Sequence, residues 1–148
     1  MTNNQYLNAY KKTQQSSSSV TSSHEIVRTL MKELVNSIQK IILDIQDEGN
    51  RKQNQILVDK VFEEKTARHK SKNVTKSLSI IYGLQTCLDF DKAPEIAINL
   101  FQLYEFVRQQ VIKGFTKKDA TVVIQASEII VEILSGWKDM STQEGTSL

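Results

Sequence analysis

The sequence predicts an all-α protein: an antiparallel up-down four-helix bundle, preceded by a flexible N-terminal segment able to form a short extra helix. Three observations carry this reading. Only one proline and five glycines occur in 148 residues, too few turn residues for a sheet protein with its many reversals. Long stretches repeat apolar residues every three or four positions, the period of a helix with one buried face. The breaks between those stretches are short, and short connections favour antiparallel neighbours. The length suits one domain with a single core, and no repeat or second domain is visible.

Residues 1–23 are polar and rich in Asn, Gln, Ser and Thr. The run Ser16–Ser19 reads as a flexible linker. Tyr6, Leu7 and Tyr10 are the exceptions, a small apolar cluster at helical spacing. A bundle is expected over 24–140 and a disordered tail over 141–148.

The first long helix is signalled by a capping box, with Ser22 as N-cap and Glu25 three residues on. Ile26, Val27, Leu30, Met31, Leu34, Val35, Ile38, Ile41, Ile42 and Ile45 then form a stripe of helical period. Gly49 is placed to end it as a C′ residue. Residues 51–89 are helical again but less regular. Leu57, Val58, Val61 and Phe62 make one apolar patch; Val74, Leu78, Ile81, Leu84 and Leu88 make a cleaner one. Between them "EKTARHKSKN" has no apolar period and reads as either a polar helical extension or a break.

A turn over Asp89 to Pro94 precedes the next helix. Proline suits a first helical turn, and Glu95 favours the positive end of the helix dipole. This helix is expected to run to about Gly114 with a core stripe of Ile96, Leu100, Leu103, Val107 and Val111. Ala97 and Tyr104 stand beside that stripe. Tyr104 and Phe106, two residues apart on a helix, cannot both face the core. The last helix is expected from about Lys118 to Trp137. Its apolar residues, Val122 to Leu134, cover more than one face, so it is deeply buried or keeps a face for a partner. Trp137 reads as a core plug.

The chemistry of the chain is sparse. The single cysteine, Cys87, excludes an internal disulfide and a cysteine-based zinc site; it reads as a small buried hydrophobe. Di-iron bundles need Glu-x-x-His on two helices, but Thr21 and Thr66 stand three residues before His24 and His69. His24 reads as a solvated or capping residue. No phosphate-binding glycine loop or nucleophile elbow is present. No catalytic residue, cofactor or metal is expected. No N-terminal apolar segment or membrane-length apolar run is visible, so the chain reads as cytoplasmic, without membrane insertion. Asn73-Val74-Thr75 is then a chance match to a glycosylation sequon.

Net charge is +2, but it is unevenly placed. Residues 51–76 carry eight Lys or Arg against three acids, whereas 77–148 carry six against nine. A basic segment can bind nucleic acid. Yet no aromatic residue lies in Glu63–Ser77 to stack on bases, and a solvated helix surface is the simpler reading, with no nucleic-acid partner.

Four stretches occur in an order that resembles a known family: "AYKK" (9–12), "SSHEIVRTLM" (22–31), "LQTCLDFDKAPEIAINLFQLYEFVRQQV" (84–111) and "GWKDM" (136–140). They are similar to FliS, the flagellin-specific export chaperones of the flagellar type III secretion system. The chain departs from that pattern at Ser22-Ser23, where the family usually has Ser-Pro, and at Ala93-Pro94, where it usually has Gly-Gly. It departs again at Lys32 and Glu33, and residues 46–72 look longer than usual.

The resemblance implies a helical bundle in the bacterial cytosol, without ATP or metal. It would bind the disordered C-terminal segment of flagellin, keep it unpolymerised and help deliver it to the cytoplasmic domain of the export gate. It further implies that the segment around Tyr10, with Tyr6 a nearby counterpart, docks on the client groove until flagellin displaces it. Ala97, Phe101 and Tyr104, with Val123 and Ile130 of the last helix, are candidates to line that groove. A different export client, a bundle that self-associates as a homodimer through the last helix, and a nucleic-acid-binding bundle remain as alternatives.

Overall fold

The structure, a computed structural model, describes the backbone of residues 23–53 and 60–146 and the side chains of 23–50, 68 and 70–139. The described residues form four helices: α1 (Ser23–Gln53), α2 (Lys60–Thr86), α3 (Pro94–Lys117) and α4 (Ala120–Thr146). Each packs on its neighbours in chain order, α4 closes back onto α1, and the diagonal α1–α3 contact is slight. That is the expected up-down bundle. The N-terminal segment with Tyr6, Leu7 and Tyr10, the Ser22 end of the capping box, and the Leu57–Val58 patch lie outside the described residues.

The core follows from the stripes. Met31, Leu34, Ile38, Ile41 and Ile45 of α1 meet Ile80, Ile81 and Leu84 of α2, Tyr104, Val107 and Val111 of α3, and Val123, Ala126 and Ile130 of α4. Each large side chain removed from water contributes roughly 1.5–3 kcal/mol, which is what holds helices of otherwise polar composition together.

Several boundaries differ from expectation. Gly49 does not end α1, which runs on to Gln53 with no glycine at positive φ among the described residues. Glu48 accounts for this: its carboxylate accepts from Lys118 Nζ at 2.7 Å and Lys70 Nζ at 3.3 Å, tying three helices at that level. Of the two readings of "EKTARHKSKN", the helical extension is the one found. Helix α4 passes Trp137 and continues to Thr146, into the segment expected as a tail. Cys87 is exposed, not buried, one residue past the end of α2 where the chain leaves the bundle for the turn before α3.

The turn between α3 and α4 is built by Gly114 and Asp119. Helix α3 does not stop at Gly114 but runs to Lys117, with Lys118 left-handed at φ 57° as its cap. The Asp119 amide donates to the Gly114 carbonyl at 2.9 Å. The Asp119 carboxylate accepts from the Thr121 amide at 3.0 Å, capping α4. At the other end, the Asp89 carboxylate accepts from the Asp91 and Lys92 amides, both at 3.0 Å, and shapes the turn into Pro94.

His24 is neither simply solvated nor a cap. Its ring stacks on Trp137 with centroids 4.6 Å apart and planes 13° from parallel. His24 Nε2–H donates to the Trp137 carbonyl at 2.9 Å, and the Trp137 indole N–H donates to the His24 carbonyl at 3.0 Å. The plug expected of Trp137 is therefore a clasp that fastens the start of α1 to α4. His24→Ala is expected to cost about 1–2 kcal/mol, the worth of a stacked pair plus a hydrogen bond. Urea unfolding followed by the single tryptophan measures it.

The Glu48 tie makes a second prediction. Partial burial pushes the Glu48 carboxyl up, but the hydrogen bonds from Lys118 and Lys70 outweigh it and hold the group below its usual value near 4.5. A depressed carboxylate contributes stability that is present above the unfolded value and lost as pH falls through the folded one. Glu48→Gln is expected to lower stability by roughly 1–2 kcal/mol at neutral pH. The gap from the parent should narrow as pH falls below about 4.5 and through the lower folded value, read from urea midpoints at neutral and acid pH.

Candidate functional site

Helix α3 carries more apolar surface than its core face can bury. Ile96 is 57% exposed, Ile98 48%, Phe101 41%, Leu103 40%, Phe106 44% and Ile112 38%. The core face is the stripe Ala97, Tyr104, Val107, Val111 and Gly114, with Leu100 partly buried. Ile96 and Leu103, expected in the core, are thus outside it. Small residues at 97 and 114 let α3 approach its neighbours closely, and the large Tyr104 fills the space between. Two registers of the same helix satisfy a three–four apolar spacing, and this one packs. Of Tyr104 and Phe106, it is Phe106 that stays exposed.

The exposed residues fall on two flanks. Gln85 of α2 donates its amide to the Phe101 carbonyl at 3.4 Å and to Glu105 Oε2 at 3.2 Å, so that side of α3 faces α2. Ile98 and Ile112 stand seven residues either side of Glu105, two turns away, on the same flank. Phe101 meets Phe90 of the preceding turn, ring centroids 6.3 Å apart. Glu105 is itself held by Arg108, whose Nε donates at 2.9 Å. The Arg108 and then the Gln85 hydrogen bonds keep its carboxyl below the usual range.

The other flank faces α4, because Gly114 abuts Val123. Ile96 and Leu103 stand 18 and 11 residues before Gly114, five and three turns back, on that same side. Phe106 lies further out. On α4, Ile124 is 36% and Val131 47% exposed. By length and composition Ala120–Asp139 could cross a membrane, with a mean hydropathy of 1.3. In the bundle that apolarity is divided between the core and the exposed surface of α4.

The residues singled out in the sequence are therefore placed unevenly. Phe101 is on the surface. Ala97 is 3% exposed, Tyr104 1%, and Val123 and Ile130 are fully buried. These four form the floor beneath the α3 surface rather than its lining, and burial, with a smaller push from the Cys87 thiol, raises the Tyr104 phenol. Tyr6 and Tyr10 lie outside the described residues. Reading α3 one register over would have found Leu103 and Phe106; nothing in the pattern alone selects that register.

Among the described residues no group of three or more His, Cys, Asp or Glu is gathered as metal ligands. A crevice lined by Ile41, Ile45, Phe115 and the Glu48 tie has room for about one water molecule. What the surface offers is apolar helix flanks with a few fixed polar groups, the equipment of a helical-bundle binding protein.

The comparisons give that class its family. The family described as Flagellar protein FliS matches residues 6–144. The flagellar secretion chaperone FliS of Vibrio cholerae is 34% identical over 132 residues, covering 88% of this chain and 85% of its own. The flagellar secretion chaperone FliSB of Pseudomonas aeruginosa is 32% identical over 68 residues, 46% of this chain and 54% of its own. The FliS of Salmonella typhimurium is 30% identical over 73 residues, 49% and 54% respectively. The chain belongs to the FliS family of flagellar secretion chaperones.

Proposed function

We propose that the protein binds the disordered C-terminal segment of flagellin in the bacterial cytosol, keeps it from polymerising and presents it to the cytoplasmic domain of the export gate, without enzymatic chemistry. The observation that carries this reading is the apolar surface of α3. Six large apolar side chains of that helix are more than a third exposed, and Ile124 and Val131 of α4 are exposed as well. Such a surface suits amphipathic helices of a client, which lay their apolar faces into grooves between helices. A disordered client orders as it binds, so a long strip is needed to offset the entropy lost.

In this reading the α3–α4 seam, with Leu103 and Phe106, takes one client helix, and Phe101 lies on the path of the chain around α3. Ala97, Tyr104, Val123 and Ile130 support the seam from beneath. The segment with Tyr6 and Tyr10 competes for the same surface in the free protein. Calorimetric titration with the C-terminal segment of a flagellin from the same organism tests the proposal. One-to-one binding with a large negative heat-capacity change is expected. Absence of binding to every flagellin of that organism would overturn it in favour of another export client. A homodimer through Ile124 and Val131 is the second reading; a concentration-dependent doubling of mass in sedimentation, reversed by client, would support it.

A further inference from the structure

We propose that the serine-rich stretch before α1 crosses the outward face of α2 as a strap, seated over Ser79 and Gly83, and keeps that seat whether or not a client is bound. Ile81 is fully buried and marks the core side of α2. Ser79 and Gly83 stand two residues either side of it, each turned about 160° away. They face away from the core, yet Ser79 is 5% exposed and Gly83 is buried. A side chain added at Gly83 would begin with no described atom within 4 Å. The same holds at Gly49 and Gly136, and both of those are exposed. What shields Ser79 and Gly83 from water therefore lies outside the described residues. The cover is also narrow, because Thr75, Tyr82 and Thr86 around it are exposed. That is the width of one extended chain.

The position of the seat selects the occupant. On α2 itself the nearest undescribed side chain, at 69, stands ten residues before Ser79, about 15 Å along the axis. The connection over 54–59 lies beyond Lys60, about 28 Å from Ser79. Helix α4, which leads to the C-terminus, packs on α1 and α3 and not on α2. Residues 1–22 remain, and they join the bundle at the right end. Lys76 pairs with Glu33; Ser23 lies ten residues before Glu33 and Gly83 seven after Lys76 on the antiparallel neighbour. Ser23 and Gly83 are therefore within about 5 Å of one level. Neighbouring helices stand about 8–10 Å apart, so roughly five extended residues reach Gly83 and two more reach Ser79. Residues 16–19, all serine, fall on the seat.

Small residues meet small residues there. A backbone can lie close against α2 only where neither side brings bulk. Further along the same face Arg68 and Lys72 are exposed, and they repel Lys11 and Lys12 of the incoming chain. The strap therefore turns off α2 after Ser79, and only the part before it, with Tyr6 and Tyr10, is left to reach the α3 surface. The seat itself lies across the bundle from the α3–α4 seam, so a client in the seam does not contest it.

The test uses the full-length protein with Cys87→Ser and a nitroxide on Ser18→Cys, read by amide NMR. The signals of Ser79 to Gly83 are expected to broaden beyond detection and those of Leu103 and Phe106 to stay. Amides of residues 16–19 should exchange at least about tenfold more slowly than in an unstructured chain. Gly83→Leu, which fills the seat, should restore the α2 signals and speed that exchange with unchanged circular dichroism. Unchanged α2 signals in the labelled protein would overturn the proposal. So would broadening from a nitroxide on Tyr6→Cys and not on Ser18→Cys, which would put the tyrosines in the seat. A second arm adds the flagellin segment and rests on the function proposed above; the broadening is expected to persist, and its loss would overturn the permanent strap. If no flagellin binds, the arm without client still decides whether the seat is occupied.

Discussion

Leu103→Asp/Phe106→Asp is expected to weaken binding of the flagellin C-terminal segment by at least about 100-fold, with little change in stability. Both side chains are at least 40% exposed, so the free protein keeps its core when they become polar. In the complex they would sit at the α3–α4 seam, where a client helix excludes water. A carboxylate buried there without a partner costs several kcal/mol, and two central contact residues commonly carry most of an interface's energy. A hundredfold loss corresponds to about 2.7 kcal/mol, well inside that range. Calorimetry gives the affinity and urea unfolding gives the control. An unchanged affinity with an intact fold would move the client away from this seam; Phe101→Asp on the opposite flank would then be the informative variant.

Gly114→Ala is expected to destabilise the bundle by roughly 1–3 kcal/mol, the usual range for forcing atoms into a packed core. An added Cβ would lie 2.2 Å from Val123 Cγ2 and 3.0 Å from the Asp119 carbonyl oxygen. Neither can retreat easily. The valine is fully buried and stiff at χ1, and the Asp119 backbone is held by its hydrogen bond to the same glycine. The sign differs from the usual glycine-to-alanine change in a helix, which is stabilising. Val123→Ala removes the obstructing methyl at its own cost. The double variant Gly114→Ala/Val123→Ala should therefore be more stable than the sum of the single losses allows, by about 1 kcal/mol or more. Additive losses in urea unfolding would mean that the glycine is not there for this contact.

Much of the fold was legible because helical period is a local property. Met31, Leu34, Ile38, Ile41 and Ile45 of the α1 stripe are core as read, with Val35 and Ile42 packed at its edge, and Ile81, Leu84, Val107 and Val111 are core too. The four-helix count, the antiparallel order and the turn at Pro94 needed no tertiary information. Helix ends were less legible. Gly49 looks like a stop in sequence, yet the Glu48 tie carries α1 through it, and that tie joins residues 22 and 70 positions apart. His24 and Trp137 are 113 residues apart, so their clasp has no sequence signal at all.

The candidate site was legible only in part. That α3 has apolar residues to spare could be read from "EIAINLFQLYEFVRQQV"; which of them stay outside could not. Ile96, Leu103 and Val107 make as good a stripe as Ala97, Tyr104 and Val107 by spacing alone. The sequence by itself determined the fold class, the family resemblance and the excess of apolar surface on the last two helices. Tertiary structure decided the rotation of α3 about its axis. A close approach is available only where Ala97 and Gly114 face the neighbouring helices, and that rotation buries Tyr104 while turning Leu103 and Phe106 outward. The physical reason is that periodicity constrains one helix at a time, whereas packing is a match between the shapes of two.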